Sequence, residues 1–520
     1  MKALLVYPEF LPTYWSYSYS LKFVGKKCAL PPLGLITVAS MLPAHWRPTV
    51  VDLNIEKLSD RQLCKADVVL LTGMHVQRRS LHEVLQRCRR IGIPTIVGGP
   101  YATSEPHLLE EADHLVLGEG EETIPSFCAA FEAGRAPRIT QNAERPDLTK
   151  TPVPRYDLLK RGAYYNMSLQ YSRGCPFSCE FCDIIVVFGR VPRTKSAEQV
   201  QEELDAIHAT GFRGSVFFVD DNFIGNKKAV RTILPVVRDW QQRNAWPFEF
   251  YTEASLNLAE DSALMQSMTQ AGFWSVFIGI ESPSAESLIE TRKNQNIKGD
   301  LDIADRVHEV QRHGLDVWGG FIVGFDHDGP EIFDQQIEFI ERAAIPEAMV
   351  GLLHAIPGTP LTERLKEAGR LKPLDSTDQF GKTNVETLIP ERVLLRGYKK
   401  ILQTIYEPGQ YLDRVRAMMR HRPQLVSRHG WLEPQKLLAG LRAMTAQGLL
   451  ASYRKEYWKY LSEVLRSQPS RLAEAIMRAA AGHHFIEYTR RVVIPRLGEL
   501  ADSAVPTASA AQEGAAPAGD

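Results

Sequence analysis

The chain has 520 residues, 44% hydrophobic and 24% charged, with a formal net charge of −1, the profile of a soluble globular protein with core enough for two to four domains. Seven cysteines are no disulfide framework, and the clustering of three of them points to a reducing cytosol. Met1–Pro8 is too short an apolar run for a signal peptide and Cys28–Leu42 too short and proline-broken to span a bilayer, so a cytoplasmic protein, at most peripheral at the inner membrane surface, is expected.

Residues 1–145 alternate strand and helix patterns. Strands are predicted at Ala3–Tyr7, Thr49–Leu53, Ala66–Thr72, Pro94–Val97 and Leu115–Leu117, and helices at Pro31–Met41, Gln77–Ile91 and Glu122–Glu132. Such alternation builds a doubly wound parallel sheet, whose ligands sit beyond the carboxyl ends of the strands. Three loops fall there: Thr72-Gly73-Met74-His75, Gly98-Gly99-Pro100 and Gly118-Glu119-Gly120-Glu121. Their glycines would let the backbone approach a large flat or phosphorylated ligand, although short turns use glycine anyway. Tyr14, Trp15, Tyr17 and Tyr19 are read as packing locally ahead of lining a cavity. Cys28, Cys64, Cys88 and Cys128 read as single packing cysteines.

After a proline-containing linker at 146–165, residues 166–370 restart as a β/α series. Strands are predicted at Met167–Tyr171, Ser215–Val219, Phe248–Thr252, Ser275–Ile280, Val317–Val323 and Ala348–Leu353. Ser196-Ala-Glu-Gln199 is a capping box, and Gly272 and Gly314 sit at helix ends. Six such units make a partial (β/α)6 TIM barrel with its chemistry at the strands' carboxyl ends. Beyond the first strand lie Cys175, Cys179 and Cys182, a C-x3-C-x2-C spacing with Phe181 before the last. Three thiolates can hold three corners of a 4Fe-4S cluster and leave the fourth iron open to a substrate. A closed zinc site lacks a fourth ligand nearby, and a disulfide would strand one cysteine.

Cys175, Cys179, Cys182 and Phe181 resemble the cluster loop of the radical S-adenosylmethionine enzymes. The resemblance implies that the open iron chelates S-adenosylmethionine and that its reductive cleavage gives a 5′-deoxyadenosyl radical, with electrons from a donor such as flavodoxin or ferredoxin. It implies S-adenosylmethionine contacts at Asp220, Asp221 and Asn222, at Glu253 and Ser255 and at Glu281, after successive strands, and at Gly319 and Gly320 in the segment 319–324 that follows or ends the fifth. Pro31-Pro-Leu-Gly-Leu and the Gly98 and Gly118 loops are similar to the cobalamin-binding domain that precedes many of these cores. That likeness implies cobalamin contacts at Thr72–His75, Gly98–Pro100 and Gly118–Glu121. No Asp-x-His-x-x-Gly is present, so cobalt is expected without that histidine; His75 is either a lower-face neighbour or a surface loop residue.

The class so resembled mostly methylates unactivated carbon, or phosphorus, through methylcobalamin; hopanoid lipids or specialised metabolites are the substrates considered. The alternatives are radical cyclisation or rearrangement without methyl transfer, and methylthiolation of RNA or protein, which would need a second cluster. No nucleic-acid partner is expected.

From 371 to 501 helices are predicted at Gly397–Tyr406, Gly409–Arg420, Pro434–Gln447, Leu450–Arg466 and Ser470–Ala481, forming an α-helical domain over the barrel mouth. Residues 411–500 carry 13 Arg and 3 Lys against 1 Asp and 6 Glu, about +9: a solvated surface, or a basic face for an anionic membrane. Trp431, Tyr453 and Trp458 would suit a lipid or polycyclic substrate. Residues 502–520, small and polar, are expected to be a disordered tail.

Overall fold

The computed structural model describes residues 1–142, 144–299, 301–373, 382–423 and 434–504; Trp431 and most of the predicted tail lie outside them. The first sheet contains β1 (Lys2–Tyr7), β2 (Arg47–Asp52), β3 (Val68–Thr72), β4 (Thr95–Gly98), β5 (His114–Leu117) and β6 (Ile139–Gln141). They are all parallel, in the order β2-β1-β3-β4-β5-β6. Alternate residues face opposite layers. Leu4, Val6, Val69, Leu71 and Val97 pack on the helix Arg78–Ile91, while Ala3, Leu5, Val68, Leu70, Ile96 and Val116 pack on Leu33–Met41 and Gly120–Glu132. Burial on both faces is why these strands read as continuous apolar runs. The edge strand β6 is absent from the sequence-based expectation: Ile139-Thr-Gln is short and largely exposed, and only its pairing with Leu115–Leu117 makes it a strand. Cys88 and Cys128 are buried on opposite faces of this sheet, so they cannot share a second cluster.

The second sheet holds β7 (Met167–Leu169), β8 (Gly214–Phe218), β9 (Phe248–Ala254), β10 (Phe273–Glu281), β11 (Asp316–Val323) and β12 (Ala348–Leu352), each parallel to its sequence neighbour. Residues such as Phe250, Val276, Ile278 and Val317 pack in the core beneath the helices. The alternate set, Phe217, Tyr251, Phe277 and Trp318, together with Trp274, forms the inner face. There Phe217 stacks on Tyr251 at 4.7 Å, and Trp318 lies 5.4 Å from Tyr251 and 5.7 Å from Trp274. No pairing closes β7 on β12, which leaves a partial barrel.

The helices Glu391–Ile405, Pro408–His421, Pro434–Thr445, Arg454–Ser467 and Leu472–Tyr488 come next, the last running on through a π turn at Thr489–Val493 to Ile494–Ser503. Two boundaries differ from expectation for one reason. Gly397 and Gly482 read as helix ends, yet both lie inside helices, where a Cβ would stand 2.3 Å from the Phe333 ring and 2.0 Å from that of Tyr411. They are close-approach points between elements, not stops.

The position of this region also corrects the expectation that it lids the barrel mouth. Among the described residues, its helices dock mainly at the amino ends of the strands, on edge strand β12 and on the helix Ile332–Arg342. The segment ahead of them touches the carboxyl side only at its edge, where Asn384 bonds Ala355 at 2.7 and 2.9 Å and Thr387 lies beside Gly324. Tyr406 Oη donates to the Ala348 carbonyl at 2.6 Å, Tyr398 Oη to that of Val350 at 2.9 Å, and Arg414 Nε to that of Ile345 at 3.1 Å. Arg422 reaches Asp316, the first residue of β11, at 2.8 Å, where Arg478 also pairs. Arg414, Arg422, Arg471 and Arg478 are all buried, so much of the basic excess neutralises barrel carboxylates or binds carbonyls and does not face water. Three of the early aromatics dock here as well, contrary to local packing: Tyr14 lies 5.6 Å from Phe485 and 5.2 Å from Tyr406 and hydrogen-bonds Thr489 at 2.6 Å, Tyr17 lies 5.5 Å from Phe485 and Tyr19 5.8 Å from His484, whereas Trp15 lies 5.1 Å from Phe277 on the inner face.

Candidate active site

The cysteine loop leaves the carboxyl end of β7 and is closed at its base by a short antiparallel pairing of Ser172 and Arg173 with Thr194 and Arg193. Gly174 has φ +100°, and a Cβ there would stand 2.9 Å from the Gly189 carbonyl and 3.1 Å from that of Val191, so the entry to Cys175 admits only glycine. The loop's far side is anchored by Arg364, whose guanidinium reaches Glu180 at 2.6 Å and Asp326 at 2.8 Å.

Among the described residues no three His, Cys, Asp or Glu side chains converge on one point, as a mononuclear metal would require. Three cysteines spread around a loop suit a polynuclear cluster, in which each thiolate takes a different iron. Donors already face two of the sulfurs: Gln295 Nε2 is 3.4 Å from Cys179 Sγ and Asn222 Nδ2 3.6 Å from Cys175 Sγ. Burial raises the Cys175 thiol and pushes that of Cys182 up to about 12; bound iron would invert that by holding the thiolates. Lys293 also stands here. Burial opposes its charge, but Glu281, 2.7 Å away, with Cys179 and Cys182 keeps its amine protonated. The residues fit a cluster.

The predicted S-adenosylmethionine residues divide. Asp220 is buried and spends both oxygens on the path to the cysteines, accepting from Tyr171 N and Ser172 N at 2.8 Å and Ser172 Oγ at 2.6 Å. Asp221 accepts from Gly174 N at 2.9 Å. Both splint the loop. Asn222 and Ser255 bond one another at 3.1 Å beside Cys175. Glu253, on the inner face, is pushed up to about 8 by burial and by Asp221 and Asp220. Glu281 has φ +68°, outside the usual range for its type, and its carboxylate holds Lys293. Gly319 and Gly320 lie within β11, as the predicted strand Val317–Val323 has them, the space of their missing side chains taken by the rings of Phe321 and Phe277, and Gly324 follows the strand at φ +105°. Lys293 and Gln295, which face the sulfurs, give no sequence signal because they lie far along the chain from the cysteines.

In the first sheet the glycine loops gather at the carboxyl ends of β3, β4 and β5. Gly99 has φ +88°, and a Cβ would stand 2.1 Å from Thr72 Oγ1. Thr103 Oγ1 donates to the Gly99 carbonyl and accepts from Gly118 N, both at 2.9 Å, binding two loops together. Gly118, at φ +78°, has open space where a Cβ would lie, the room a large ligand needs; these loops fit cobalamin. Gly73 and Gly120 face neighbouring side chains instead, and Pro100 opens the helix Pro100–Ser104. His75 is engaged at both ring nitrogens, by Glu105 at 2.6 Å and Arg78 at 3.1 Å, which favours the loop-residue reading; Met74 is exposed.

Glu119 and Glu121 turn away from the glycines. Arg173 Nη1 lies 2.6 Å from Glu119 and 2.8 Å from Glu121, and Arg193 lies 2.7 Å from Glu119. This buried network ties the glycine loop after β5 to both strands at the base of the cysteine loop, and so fixes the two halves of the site against each other.

Comparison with known proteins agrees. Residues 27–127 match the B12 binding domain, 169–340 the radical SAM superfamily, and 359–495 a domain of unknown function, DUF4070. An uncharacterised methyltransferase of Synechocystis sp. is 42% identical, covering 96% of this chain and 94% of that one. The hopanoid C-2 methylase of Rhodopseudomonas palustris is 32% identical, covering 94% of each. Among solved structures, the radical methyltransferase TsrM from Kitasatospora setae superposes with TM-score 0.60 at 15% identity over 90% of this chain and 99% of its own, which shows a shared fold. The chain belongs to the cobalamin-binding radical S-adenosylmethionine methyltransferases. Its cofactors are accordingly a 4Fe-4S cluster, S-adenosylmethionine and cobalamin.

Proposed function

We propose that the protein methylates an unactivated carbon of a polycyclic lipid of the hopanoid class, drawing electrons from a flavodoxin or ferredoxin. The observation that carries the substrate class is the barrel's inner face: Phe217, Tyr251, Phe277 and Trp318 present rings where a polar metabolite would find few partners. The R. palustris relative, named a hopanoid methylase, supports it.

When bound, the cluster with S-adenosylmethionine supplies radical initiation, and cobalamin carries the methyl group. This chain's residues hold and orient them. Cys175, Cys179 and Cys182 take three irons, with Gln295 and Asn222 donating to sulfur. Residues 166–370 form the radical core, in which Asn222, Glu253 and Ser255 face S-adenosylmethionine, and Lys293, steered by Glu281, offers a cation to its carboxylate. Residues 1–145 hold cobalamin at the Gly98, Gly99 and Gly118 loops, and the Arg173 network sets its distance from the cysteines. The aromatic face excludes water and seats the apolar skeleton.

The test is anaerobic turnover of the reconstituted enzyme with methyl-labelled S-adenosylmethionine, a low-potential reductant and a hopanoid in detergent. A hopanoid heavier by one labelled methyl group is expected. Labelled methyl that never reaches the hopanoid but appears in a polar acceptor would refute the substrate class.

A further inference from the structure

The helix Pro434–Thr445, the π turn after it and the helix Arg454–Ser467 expose a set of apolar side chains: Leu437, Leu438, Leu441, Leu449, Leu450 and Trp458 are 49, 47, 62, 64, 78 and 44% exposed. They make one surface. Leu437, Leu438 and Leu441 share a helix face, Leu449 and Leu450 belong to the π turn that continues it, and Trp458 is fixed beside them by its indole N–H on the Gly448 carbonyl at 2.9 Å. The reverse side of the same elements, Ala443, Gln447, Tyr457 and Leu461, is buried. A single exposed leucine is ordinary; five with a tryptophan call for an occupant.

The rim decides which. Arg442, Arg454, Lys455 and Lys459 are exposed around this surface. Arg442 donates to the Phe23 carbonyl at 3.2 Å, which brings exposed Val24 alongside. Among the described residues Arg454, Lys455 and Lys459 make no ion pair with a carboxylate; Glu456 is the acidic residue between them. A second copy, meeting this face through a two-fold axis, would set cation against cation. No helix among the described residues is long and apolar enough to cross a membrane. An apolar patch ringed by unpaired cations matches the boundary of an anionic bilayer, with acyl chains for the leucines and phosphates for the lysines.

We propose that this surface seats the protein on anionic lipid bilayers, Leu437, Leu441, Leu449, Leu450 and Trp458 entering the interface and Arg454, Lys455 and Lys459 meeting headgroup phosphates. The proposal goes beyond the methyl-transfer reading, and vesicle binding is measured without turnover, so either can fail alone.

The experiment is co-sedimentation of the reconstituted full-length protein with vesicles of phosphatidylcholine, alone or mixed with phosphatidylglycerol, alongside light scattering without lipid. The wild type is expected to pellet with the anionic vesicles and less at high salt. L441E/L450E should bind them at least about tenfold more weakly, and K455E/K459E about tenfold more weakly on anionic vesicles while matching wild type on neutral ones. These positions are exposed, so iron and cobalt contents should stay at wild-type levels. Wild type remaining in the supernatant, L441E/L450E binding as wild type does, or a wild-type dimer that L441E/L450E splits without any vesicle binding would each overturn the proposal.

Discussion

Replacing Arg173 by methionine removes the centre of the network that joins the two halves of the site. Its side chain is 12% exposed, those of Glu119 and Glu121 5% and 1%, and the two carboxylates lie 2.6 and 2.8 Å from Nη1. With Arg193, the cluster holds two cations and two anions. In R173M Glu119 keeps Arg193 while buried Glu121 keeps only the Thr151 hydroxyl, 2.9 Å away, and stripping a partner from a buried pair costs about 3–5 kcal/mol. The cost should fall on this junction: hydrogen exchange should accelerate at 118–122 and 172–194 while the strand core of β1–β4 stays protected. The cleaner assay is a double-mutant cycle in denaturant. If Arg173 acts through Glu119, R173M and E119Q should be non-additive by about 2 kcal/mol, the double variant recovering part of the loss. An R173M protein within about 1 kcal/mol of wild type, or additive losses, would show that the network does not hold the halves together.

Other expectations are as direct. Gly99→Ala would place a Cβ against Thr72 Oγ1 at a positive φ, costing about 2 kcal/mol and lowering cobalt retention while iron content holds; unchanged cobalt would refute the cradle. Glu253→Gln should keep iron and cobalt but weaken S-adenosylmethionine binding about tenfold, read by equilibrium dialysis. The cofactor-free protein should lose stability as pH rises from 6.5 to 8.5. Asp220 is pushed up to about 7, Glu253 to about 8 and Glu347 to about 7, each chiefly by burial. These folded-state values lie above the unfolded ones, so the folded state holds extra protons that it gives up, with the stability they carry, across that interval. His483 and His484, held near 4 by burial, work the other way below about pH 7.5, where unfolded imidazoles, titrating at about 6.5, still bind protons that the folded ones do not; three carboxylates outweigh two histidines, so the net change stays downward. Rising stability over the interval would contradict the assignment.

Chemistry confined to a short stretch is legible in the sequence. Cys175, Cys179 and Cys182 span eight residues, and their meaning needs no tertiary contact; the strands announce themselves because parallel sheets buried on both faces demand apolar runs. Partners distant in the chain are not legible. Glu119 and Glu121 read as ligand contacts because their pairing with Arg173 crosses two domains. Asp220 falls at the expected strand end, but its service to Ser172 depends on the loop's path. The arginine excess after residue 411 suggests a surface until Asp316 and Glu341 are seen beneath it. Gly397 and Gly482 signal helix ends until Phe333 and Tyr411 occupy the space beside them.

The central claim, that one chain brings a three-cysteine cluster and cobalamin together, is tested most directly by metal analysis. Protein purified anaerobically, reconstituted, incubated with hydroxocobalamin and desalted should retain about four irons and one cobalt per chain, with iron lost in a Cys175→Ala, Cys179→Ala, Cys182→Ala variant that keeps cobalt. Four irons without cobalt would remove the methyl-carrying half of the account, and about eight irons would contradict the single-cluster reading of these seven cysteines.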